Sequence, residues 1–513
     1  MAKGIMFQGT SSDVGKSILT AAFCRILKQD GFKVVPFKSQ NMALNSFITK
    51  EGLEMGRAQV FQAEAAGLEP DVRMNPILLK PTTHKKSQVI IEGKVYDDMN
   101  ASNYFEFKPK LKNMISDIYY NLTKDFDIAL IEGAGSPAEI NLKKDDIVNM
   151  GMAKMSDSDV ILIGDIDRGG VFASIYGTIK LLEEDEQKRI KGVIINKFRG
   201  DIKILEPGIK MLEDLIDIPV LGVIPFMDVN IEDEDGLSSR FKNLKNKNAP
   251  IKIEVVYLPH ISNFTDFNVF ETQEDVDIKY VRRGEDITNP DLLIIPGSKN
   301  TIEDLIYLRE SGLEKQILDY HAKGGKIFGI CGGYQMLGSK IFDPLGIECG
   351  IKEINGLNLL DVETNFEGKK VTTQVKAKIN NGIGMLEGLK DVDVYGYEIH
   401  MGRTKYIKDL KSLDTIYEKL NKESEIIDGA ISSCNRVFGT YIHGIFDNIN
   451  FTRGMLNNIR KEKGLESIKS GIKTFREFKE REYDKMASIV RKNVDIKKLY
   501  QIIGLKNPNK KNN

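Results

Sequence analysis

The sequence predicts an α/β protein with two domains, each built on a parallel β-sheet. Short apolar, β-branched runs alternate with longer helix-like segments along most of the chain. Glycine-rich turns follow several of these runs, at the positions where parallel strands commonly carry ligand sites. At 513 residues the chain is also too long for one ordinary hydrophobic core. We therefore expect a first domain over residues 1–227 and a second over residues 251–450.

The first half contains six strand candidates, all of them continuous apolar runs. Such runs are typical of a parallel sheet covered on both faces, and the helices between them indicate a doubly wound domain. The candidates are Ile5–Gln8, Val34–Phe37, Asp127–Ile131, Val160–Ile163, Gly192–Ile195 and Val220–Ile224.

The pattern changes after Pro225. Residues 228–250 are first acidic, then basic and asparagine-rich, and indicate a linker. A second α/β pattern follows, with strand candidates at Ile251–Leu258, Asp291–Ile295 and Lys326–Ile330, and a β-rich stretch near residues 356–402. Residues 451–513 form a helical, lysine-rich extension, for which we expect a solvated helix and a frayed end.

The composition of the chain argues against several classes of binding partner. The formal net charge of −1 gives no electrostatic reason to expect nucleic acid or an anionic membrane as partner. No apolar run approaches the roughly 18 residues needed to span a bilayer. The four cysteines lie far apart, which argues against a zinc site or a disulfide framework. A cytoplasmic location is the expectation.

A glycine loop between the first strand and the first helix predicts a phosphate site. The segment Gly9-Thr10-Ser11-Ser12-Asp13-Val14-Gly15-Lys16-Ser17 has one residue more than the common P-loop spacing. Backbone amides, including those of Gly9, Thr10 and Gly15, would cradle phosphates. Lys16 would neutralise them, and the Ser17 hydroxyl would ligate Mg²⁺. The alternative is a glycine-rich turn with an exposed lysine.

Polar residues at the ends of the neighbouring strands extend this site. Glu132 follows the strand Asp127–Ile131, so it is a candidate second Mg²⁺ ligand or a capping acid in a glycine turn. Asp165, Asp167 and Arg168 could hold metal, phosphate or an anionic substrate, and a structural Asp–Arg pair explains them about as well. Asn196 is a candidate for recognising a nucleotide base.

A second candidate site centres on Cys331. The run Lys326–Ile330 ends in Gly-x-Cys-x-Gly, the cysteine form of a nucleophile elbow. Such a thiol needs a base, and His443 has the best context, since it follows an apolar run and precedes a glycine. The amides of Gly332 and Gly297 are candidate oxyanion donors. The alternatives are a buried, inert cysteine and, for the base, His400.

These residues together resemble the cobyric acid synthase family of glutamine amidotransferases over nearly the whole chain. The first half is similar to the ATPase domain shared with dethiobiotin synthetase, and the second half to class I (triad-type) glutaminase domains. The motifs that carry the resemblance are the long-spaced glycine loop, Phe37–Met42, Gly56–Gln59, Ile131–Gly135, Asp165–Gly170, Asn196-Lys197 and Gly396–Gly402.

The resemblance implies an activity. Cys331 and His443 would release ammonia from glutamine, and the first domain would use ATP and Mg²⁺ to activate a carboxylate. It implies that the acceptor is adenosylcobyrinic acid a,c-diamide, amidated at its b, d, e and g side chains to adenosylcobyric acid. The chain departs from the wider glutaminase pattern His-x-Glu, because it has His443-Gly444-Ile445. Either a dyad suffices or another acid orients the histidine, with Glu398 as one candidate.

Two alternative functions stay open at this point. An amidoligase similar to cobyrinic acid a,c-diamide synthase would have the same two domains. An ATPase switch of the ParA/MinD type is the alternative of a different class. Those switches usually have an additional lysine early in the P-loop, which Thr10-Ser11-Ser12 lacks, and the switch hypothesis leaves Cys331 unexplained.

Overall fold

The computed structural model describes residues 2–83, 86–229, 249–469, 471 and 474–505. The chain divides into two compact units that do not follow the sequence as two simple halves. The first unit comprises Met1–Ala43, Met55–Glu234 and Lys479–Asn513, and the second comprises Leu44–Glu54 and Asp235–Phe478. Residues 230–248 of the predicted linker and the tail from residue 506 lie outside the described residues.

The first unit is built on a parallel sheet that contains all six strands predicted for it. Within its described part, the strands lie in the order Val220–Pro225, Ile190–Phe198, Asp159–Asp165, Lys3–Gly9, Ile128–Glu132 and Val34–Phe37. The strand Lys3–Gly9 pairs in parallel with its two neighbours, Asp159–Asp165 and Ile128–Glu132. This central position places the residues after Gly9 at the carboxyl edge of the sheet, where α/β proteins bind ligands.

Helices and a smaller sheet complete the first unit. The smaller sheet has the strand order Gln40–Met42, Ile77–Thr83, Lys86–Ile91 and Lys94–Asn100. The α-helices before the last segment of the unit are Lys16–Gln29, Arg57–Ala66, Ala101–Thr123, Met150–Met155, Val171–Lys180, Glu184–Gln187 and Ile202–Ile216. Short 3₁₀ helices lie at Val72–Met74 and Ile140–Leu142.

The C-terminal helices are Phe475–Asn493 and Ile496–Ile503, and from Lys479 onward they complete the core of the first unit. Met486, Ala487 and Val490 are fully buried in that core, so the expectation of a solvated helix is wrong. The charged face also has partners, because Asp484 lies 2.7 Å from Arg25. In the sequence, the many lysines and arginines of this segment make it difficult to recognise the apolar residues that repeat at helical spacing and form its buried face.

The second unit is built on another, mostly parallel sheet. Its described strands lie in the order Val276–Val281, Ile251–Val256, Leu292–Ile295, Ile327–Ile330, Val437–Thr440 and Ala430–Ile431, and the last strand is antiparallel. The strands Leu292–Ile295, Ile327–Ile330 and Val437–Thr440 are adjacent and parallel. The residues that follow these three strands therefore meet at one edge of the sheet.

A second sheet lies in the predicted β-rich region. It has the order Glu353–Asn355, Lys340–Phe342, Val362–Ile379, Asp414–Lys419 and Lys422–Asp428, and Asp393–Tyr406 pairs with Val362–Ile379. The α-helices are Asn268–Glu271, Thr301–Glu310, Leu313–Ala322, Gly332–Leu337 and Ile449–Glu462. The 3₁₀ helices are Phe264–Phe267, Gly384–Leu386 and Ile445–Asp447.

The segment Leu44–Glu54 belongs to the second unit although it lies early in the sequence. It contains the short strand Ser46–Ile48, and the next strand, Glu54–Gly56, leads the chain back into the first unit. Ile48 is buried in a small cluster with Tyr397 and Ile399. We call residues 44–54 the inserted segment.

The buried face of the C-terminal helix predicts a stability effect. Met486→Ala removes a fully buried side chain and should cost about 2–5 kcal/mol of unfolding free energy for the first unit. Lys492→Ala on the exposed face of the same helix should change it by less than about 0.5 kcal/mol. Urea denaturation followed by circular dichroism measures both. Equal midpoints for the two variants would contradict the packing described here.

Candidate active site

The glycine loop of the first unit has the geometry of a phosphate cradle. Gly15 has φ 93°, a left-handed conformation that glycine adopts without strain, and a Cβ there would lie 2.4 Å from Asn196 Nδ2. The Thr10 amide donates to Ile163 O at 2.9 Å, which ties the loop to the neighbouring strand. Lys16 Nζ donates to Ser11 O at 3.0 Å and to Gly135 O at 3.1 Å. The Lys16 ammonium is therefore held over the loop.

Glu132 lies beside the loop, and its buried carboxylate is surrounded by hydrogen-bond donors. The Ser17 hydroxyl donates to Glu132 Oε1 at 2.7 Å, and Lys38 Nζ lies 3.0 Å from the same oxygen. Gln62 Nε2 donates to Glu132 Oε2 at 2.5 Å. The side-chain oxygens of Ser17 and Glu132, which are the predicted Mg²⁺ ligands, therefore lie next to each other. Oxygen ligands are the kind that Mg²⁺ prefers.

The other polar residues at this sheet edge mostly pair with one another. Asp165 Oδ2 lies 2.9 Å from Lys197 Nζ and 3.7 Å from Arg168 Nε. Asp167 lies 3.0 Å from Arg199 Nε. Asn196 donates its amide N–H to Val14 O at 2.8 Å and so braces the loop. These contacts fit a structural role, and their roles toward metal, base or substrate stay predictions.

Cys331 lies at a strained turn between the strand Ile327–Ile330 and the helix Gly332–Leu337. Its φ of 50° and ψ of −106° lie outside the regions that a residue with a Cβ normally adopts. Gly333 lets the helix after the turn pack closely against the neighbouring strand, since a Cβ there would lie 2.0 Å from Ile295 O. The geometry is that of a nucleophile elbow, in which strain presents the side chain at the sheet edge.

His443 is the base candidate that the fold brings to Cys331. The imidazole is buried, and the Cys331 side chain lies near enough to raise its pKa. The Cys331 thiol itself donates to Ile399 O at 3.6 Å. Its Nδ1 lies 2.7 Å from Asp266 Oδ2, and Asp266 Oδ1 accepts the backbone N–H of Gly444 at 2.9 Å. Asp266 therefore occupies the role of the third triad member, because it fixes both the ring and the residue that follows it.

The electrostatics of this pair favour the charged imidazole. Burial alone lowers the pKa of His443, but the negative charge of Asp266 and the contact with Cys331 outweigh it and raise that pKa from 6.5 to about 10. Since Asp266 accepts the proton on Nδ1, Nε2 is the ring nitrogen left to exchange a proton with a reacting group. His443 is therefore the charged imidazolium at neutral pH, and a positive charge next to a cysteine favours the nucleophilic thiolate form.

Other residues of the second unit shape the surroundings of the imidazole. The Tyr397 ring stacks on His443 with 5.3 Å between centroids. A Cβ on Gly297 would lie 3.0 Å from His443 Cε1, so a side chain there would crowd the ring. Asn263 Nδ2 lies 3.4 Å from His443 Nε2. Gly297 and Gly332 flank the site from neighbouring strand ends, and their use as oxyanion donors stays a prediction.

Glu398, the candidate orienting acid, does not pair with the catalytic histidine. Its carboxylate lies 2.7 Å from Lys419 Nζ and 3.4 Å from His400 Nε2. His400 in turn stacks on Tyr441, with 3.8 Å between centroids, and has Nδ1 2.8 Å from Gly402 O. The carboxylate that contacts His443 is therefore that of Asp266 and not that of Glu398. His400 contacts Tyr441 and Gly402 instead.

Within the described ranges, no helix is long and apolar enough to cross a membrane. The same ranges contain no group of three or more His, Cys, Asp or Glu side chains arranged to hold a metal ion.

The two sites together define a class of protein. A phosphate-binding loop on one parallel sheet and a Cys–His–Asp arrangement on another indicate a nucleotide-dependent glutamine amidotransferase. Residues 5–239 match the family described as "CobQ/CobB/MinD/ParA nucleotide binding domain", and residues 252–451 match "CobB/CobQ-like glutamine amidotransferase domain". The glutaminase match does not favour the hypothesis of a ParA/MinD-like switch.

Full-length relatives narrow the class to a family. A protein of Alkaliphilus metalliredigens named "Cobyric acid synthase" is 58% identical over 97% of this chain and 99% of its own length. A protein of the same name from Clostridium botulinum (strain Kyoto / Type A2) is 57% identical over 99% of this chain and 100% of its own. The chain belongs to the cobyric acid synthase family.

Sequence reasoning missed Asp266 and Asn263. Both lie in Asn263-Phe264-Thr265-Asp266, a segment after the strand Ile251–Val256, whereas His443 lies 177 residues beyond Asp266. Only their place in the sequence could have indicated a role. Both residues follow a strand of the same parallel sheet as the strand before Cys331, so they lie at the same edge of that sheet. Lys38 and Gln62 were likewise not recognised as partners of Glu132.

The carboxylate of Asp266 predicts the reactivity of Cys331. Burial lowers the pKa of His443, and the negative charge of Asp266 raises it. Asp266→Asn removes that charge, so the pKa of His443 should fall and a smaller fraction of the ring should be imidazolium at pH 7. Alkylation of Cys331 by iodoacetamide at pH 7 should slow, and glutamine hydrolysis should drop by about 10²–10⁴-fold.

Glu398→Gln is the matched control, since it removes a buried carboxylate that contacts His400 and Lys419 instead. It should change both rates far less than Asp266→Asn. If Glu398→Gln abolished hydrolysis and Asp266→Asn left it intact, the assignment of Asp266 would be wrong.

Proposed function

We propose that this chain catalyses ATP- and glutamine-dependent amidation of adenosylcobyrinic acid a,c-diamide at its b, d, e and g carboxylates, giving adenosylcobyric acid. The observation that carries the proposal is the presence, in one chain, of a phosphate-binding loop and a Cys331–His443–Asp266 arrangement. Full-length relatives named cobyric acid synthase support the choice of acceptor. The reaction requires ATP, and we expect it in the cytoplasm.

In the glutaminase half-reaction, Cys331 is the nucleophile. Its thiolate attacks the side-chain amide carbon of glutamine, and His443 gives its proton to the departing nitrogen as the C–N bond breaks. Ammonia leaves, and water then hydrolyses the thioester to glutamate with His443 as base. Asp266 holds the proton on Nδ1 throughout, so Nε2 carries out both transfers.

The negative charge that develops on the amide oxygen needs hydrogen-bond donors. We assign this role to backbone amides at Gly332 and Gly297, which follow two adjacent strands at the edge where Cys331 lies. Amides fixed by the backbone need no reorganisation during the reaction. The close packing of Gly297 against the His443 ring supports this assignment.

In the synthetase half-reaction, the first unit activates a carboxylate of the acceptor. The loop amides and Lys16 bind the ATP phosphates, the γ-phosphoryl group passes to the carboxylate oxygen, and ADP leaves. Ammonia then attacks the acyl carbon and phosphate leaves, so an amide replaces the acid. Ser17 and Glu132 would hold Mg²⁺, which supplies neutralisation of phosphate charge when bound. Asn196 is our candidate for contact with the nucleotide.

The strand-end residues Asp165, Asp167 and Arg168 are proposed to act on the anionic groups of ATP or the acceptor. Their ion pairs with Lys197 and Arg199 keep several charges at the carboxyl edge of the sheet. Arg168 has 60% of its side chain exposed, so its guanidinium remains accessible to an anion.

A nucleophile variant separates the two half-reactions. Cys331→Ala should abolish glutamine-dependent amidation and retain amidation supplied with ammonium, because the variant lacks only the thiol that releases ammonia. Mass spectrometry of the corrinoid counts the amidations, since each exchange of hydroxyl for amino lowers the mass by about one dalton. Loss of both activities would contradict the division into two sites.

A variant of the phosphate site should show the opposite pattern. Glu132→Gln removes the buried charge that contacts Ser17 and Lys38, so amidation should fall by at least about 10²-fold with either nitrogen source. Glutamate release from glutamine should persist at a rate close to that of the wild type without ATP. Retained ammonium-dependent amidation would show that Glu132 is not part of the ATP site.

A further inference from the structure

The helix Ile202–Ile216 of the first unit exposes a row of apolar side chains. Ile204, Met211 and Leu215 are 83%, 65% and 63% exposed. Together with Gly208, they follow one another at spacings of four, three and four residues, which places all four on one side of the helix. We call these four residues the exposed stripe.

A different side of the same helix supplies its core contacts. Leu212 and Ile216 are 2% and 8% exposed, so the helix is already attached to its own unit through them. The exposed stripe adds nothing to that core. Single apolar side chains are common on protein surfaces, but a row of them at helical spacing is typical of a surface that another molecule covers.

The neighbouring helix Val171–Lys180 widens the apolar surface. A Cβ on Gly208 would lie 2.8 Å from Phe172 Cζ, so the two helices lie against each other at this glycine. Phe172 is nevertheless 36% exposed, and Tyr176, about one helical turn further on, is 41% exposed. Gly208 is therefore a shallow gap in the exposed stripe, with the Phe172 ring beside it.

The apolar surface is large enough for a stable contact between proteins. The exposed parts of its five apolar side chains amount to roughly 600 Å², which is the upper end for the largest patch of an ordinary monomer. Two such surfaces in contact would bury about 1,200 Å² from these side chains alone, the lower end of the range for specific interfaces. The five are Phe172, Tyr176, Ile204, Met211 and Leu215.

We propose that the exposed stripe is the interface of a homodimer, in which the helix packs antiparallel against the same helix of a second copy of this chain. A two-fold axis places one surface against itself, so the stripe must match its own reverse. In the antiparallel pair, Ile204 meets Leu215 of the second copy, and Gly208 meets Met211. The gap at Gly208 thus receives a long, flexible side chain, whose sulfur reaches the Phe172 ring.

Charged residues beside the exposed stripe fit the same arrangement. Lys203 and Asp214 are exposed and lie about three helical turns apart, on one side of the stripe. In the antiparallel pair, Lys203 of each copy lies beside Asp214 of the other, so the contact occurs twice. The helix also carries Glu206 and Glu213. This mixture of charges argues against an anionic membrane, which selects a basic polar face.

Sedimentation velocity of the full-length protein tests the proposal. The wild type should have the mass of two chains at about 10 µM, and Met211→Asp the mass of one, because dimerisation would bury an unpaired charge. Leu215→Lys should have the same effect, and it serves if Met211→Asp fails to fold. Leu345→Asp is the matched control, since Leu345 is 69% exposed in the second unit, and it should remain dimeric.

Charge reversal tests the direction of the paired helices. Lys203→Asp alone, or Asp214→Lys alone, should raise the dissociation constant of the dimer by about threefold to tenfold, because like charges then meet at both contacts. The double variant exchanges the two signs and should return the constant to within about twofold of the wild type. A double variant that dissociates at least as readily as the single variants would overturn the antiparallel pairing.

Two other results would overturn the homodimer. The first is a wild type that stays monomeric up to about 100 µM, which would leave the exposed stripe to a different protein. The second is a dimer that persists in both Met211→Asp and Leu215→Lys, which would place the interface elsewhere. Far-UV circular dichroism identical to that of the wild type shows that a monomeric variant is folded, so loss of the dimer is not loss of the fold.

Discussion

The buried contact between His443 Nδ1 and Asp266 is the interaction on which the proposed glutaminase chemistry depends. Removal of an imidazole from water favours its neutral form, so a buried histidine beside a thiol would ordinarily be a weak partner for a thiolate. The carboxylate at 2.7 Å reverses that preference and also holds the proton on Nδ1, which leaves Nε2 for proton exchange with the reacting groups. The strained elbow, the tight glycine turn and the parallel register all serve to bring these three residues to one sheet edge.

Neither unit is a single continuous stretch of the sequence. The C-terminal helix returns to the first unit, and the inserted segment belongs to the second. Each unit is therefore completed by residues distant in sequence. For the second unit these residues include Asn45 and Ser46, which hold the loop that carries Asn263 and Asp266.

Sequence reasoning succeeded where the signal is local. Apolar runs predicted the strands of both parallel sheets, and glycine spacing predicted the phosphate loop and the elbow at Cys331. It failed where the partner is distant: no local pattern connects Asp266 with His443, and Glu398 was a poorer candidate because it pairs with Lys419. The C-terminal helix was a different failure, because Met486 and Val490 mark a buried stripe that a count of charged residues conceals.

Nuclear magnetic resonance of ¹⁵N-histidine in the full-length protein tests the central claim most directly, with His443→Gln used to assign the signal. We expect Nδ1 of His443 to stay protonated across the accessible pH range and the ring to lose its second proton only near pH 10. In Asp266→Asn, that transition should move to lower pH. A His443 ring that titrates at or below pH 6.5 in the wild type, or one unaffected by Asp266→Asn, would show that Asp266 does not stabilise the imidazolium.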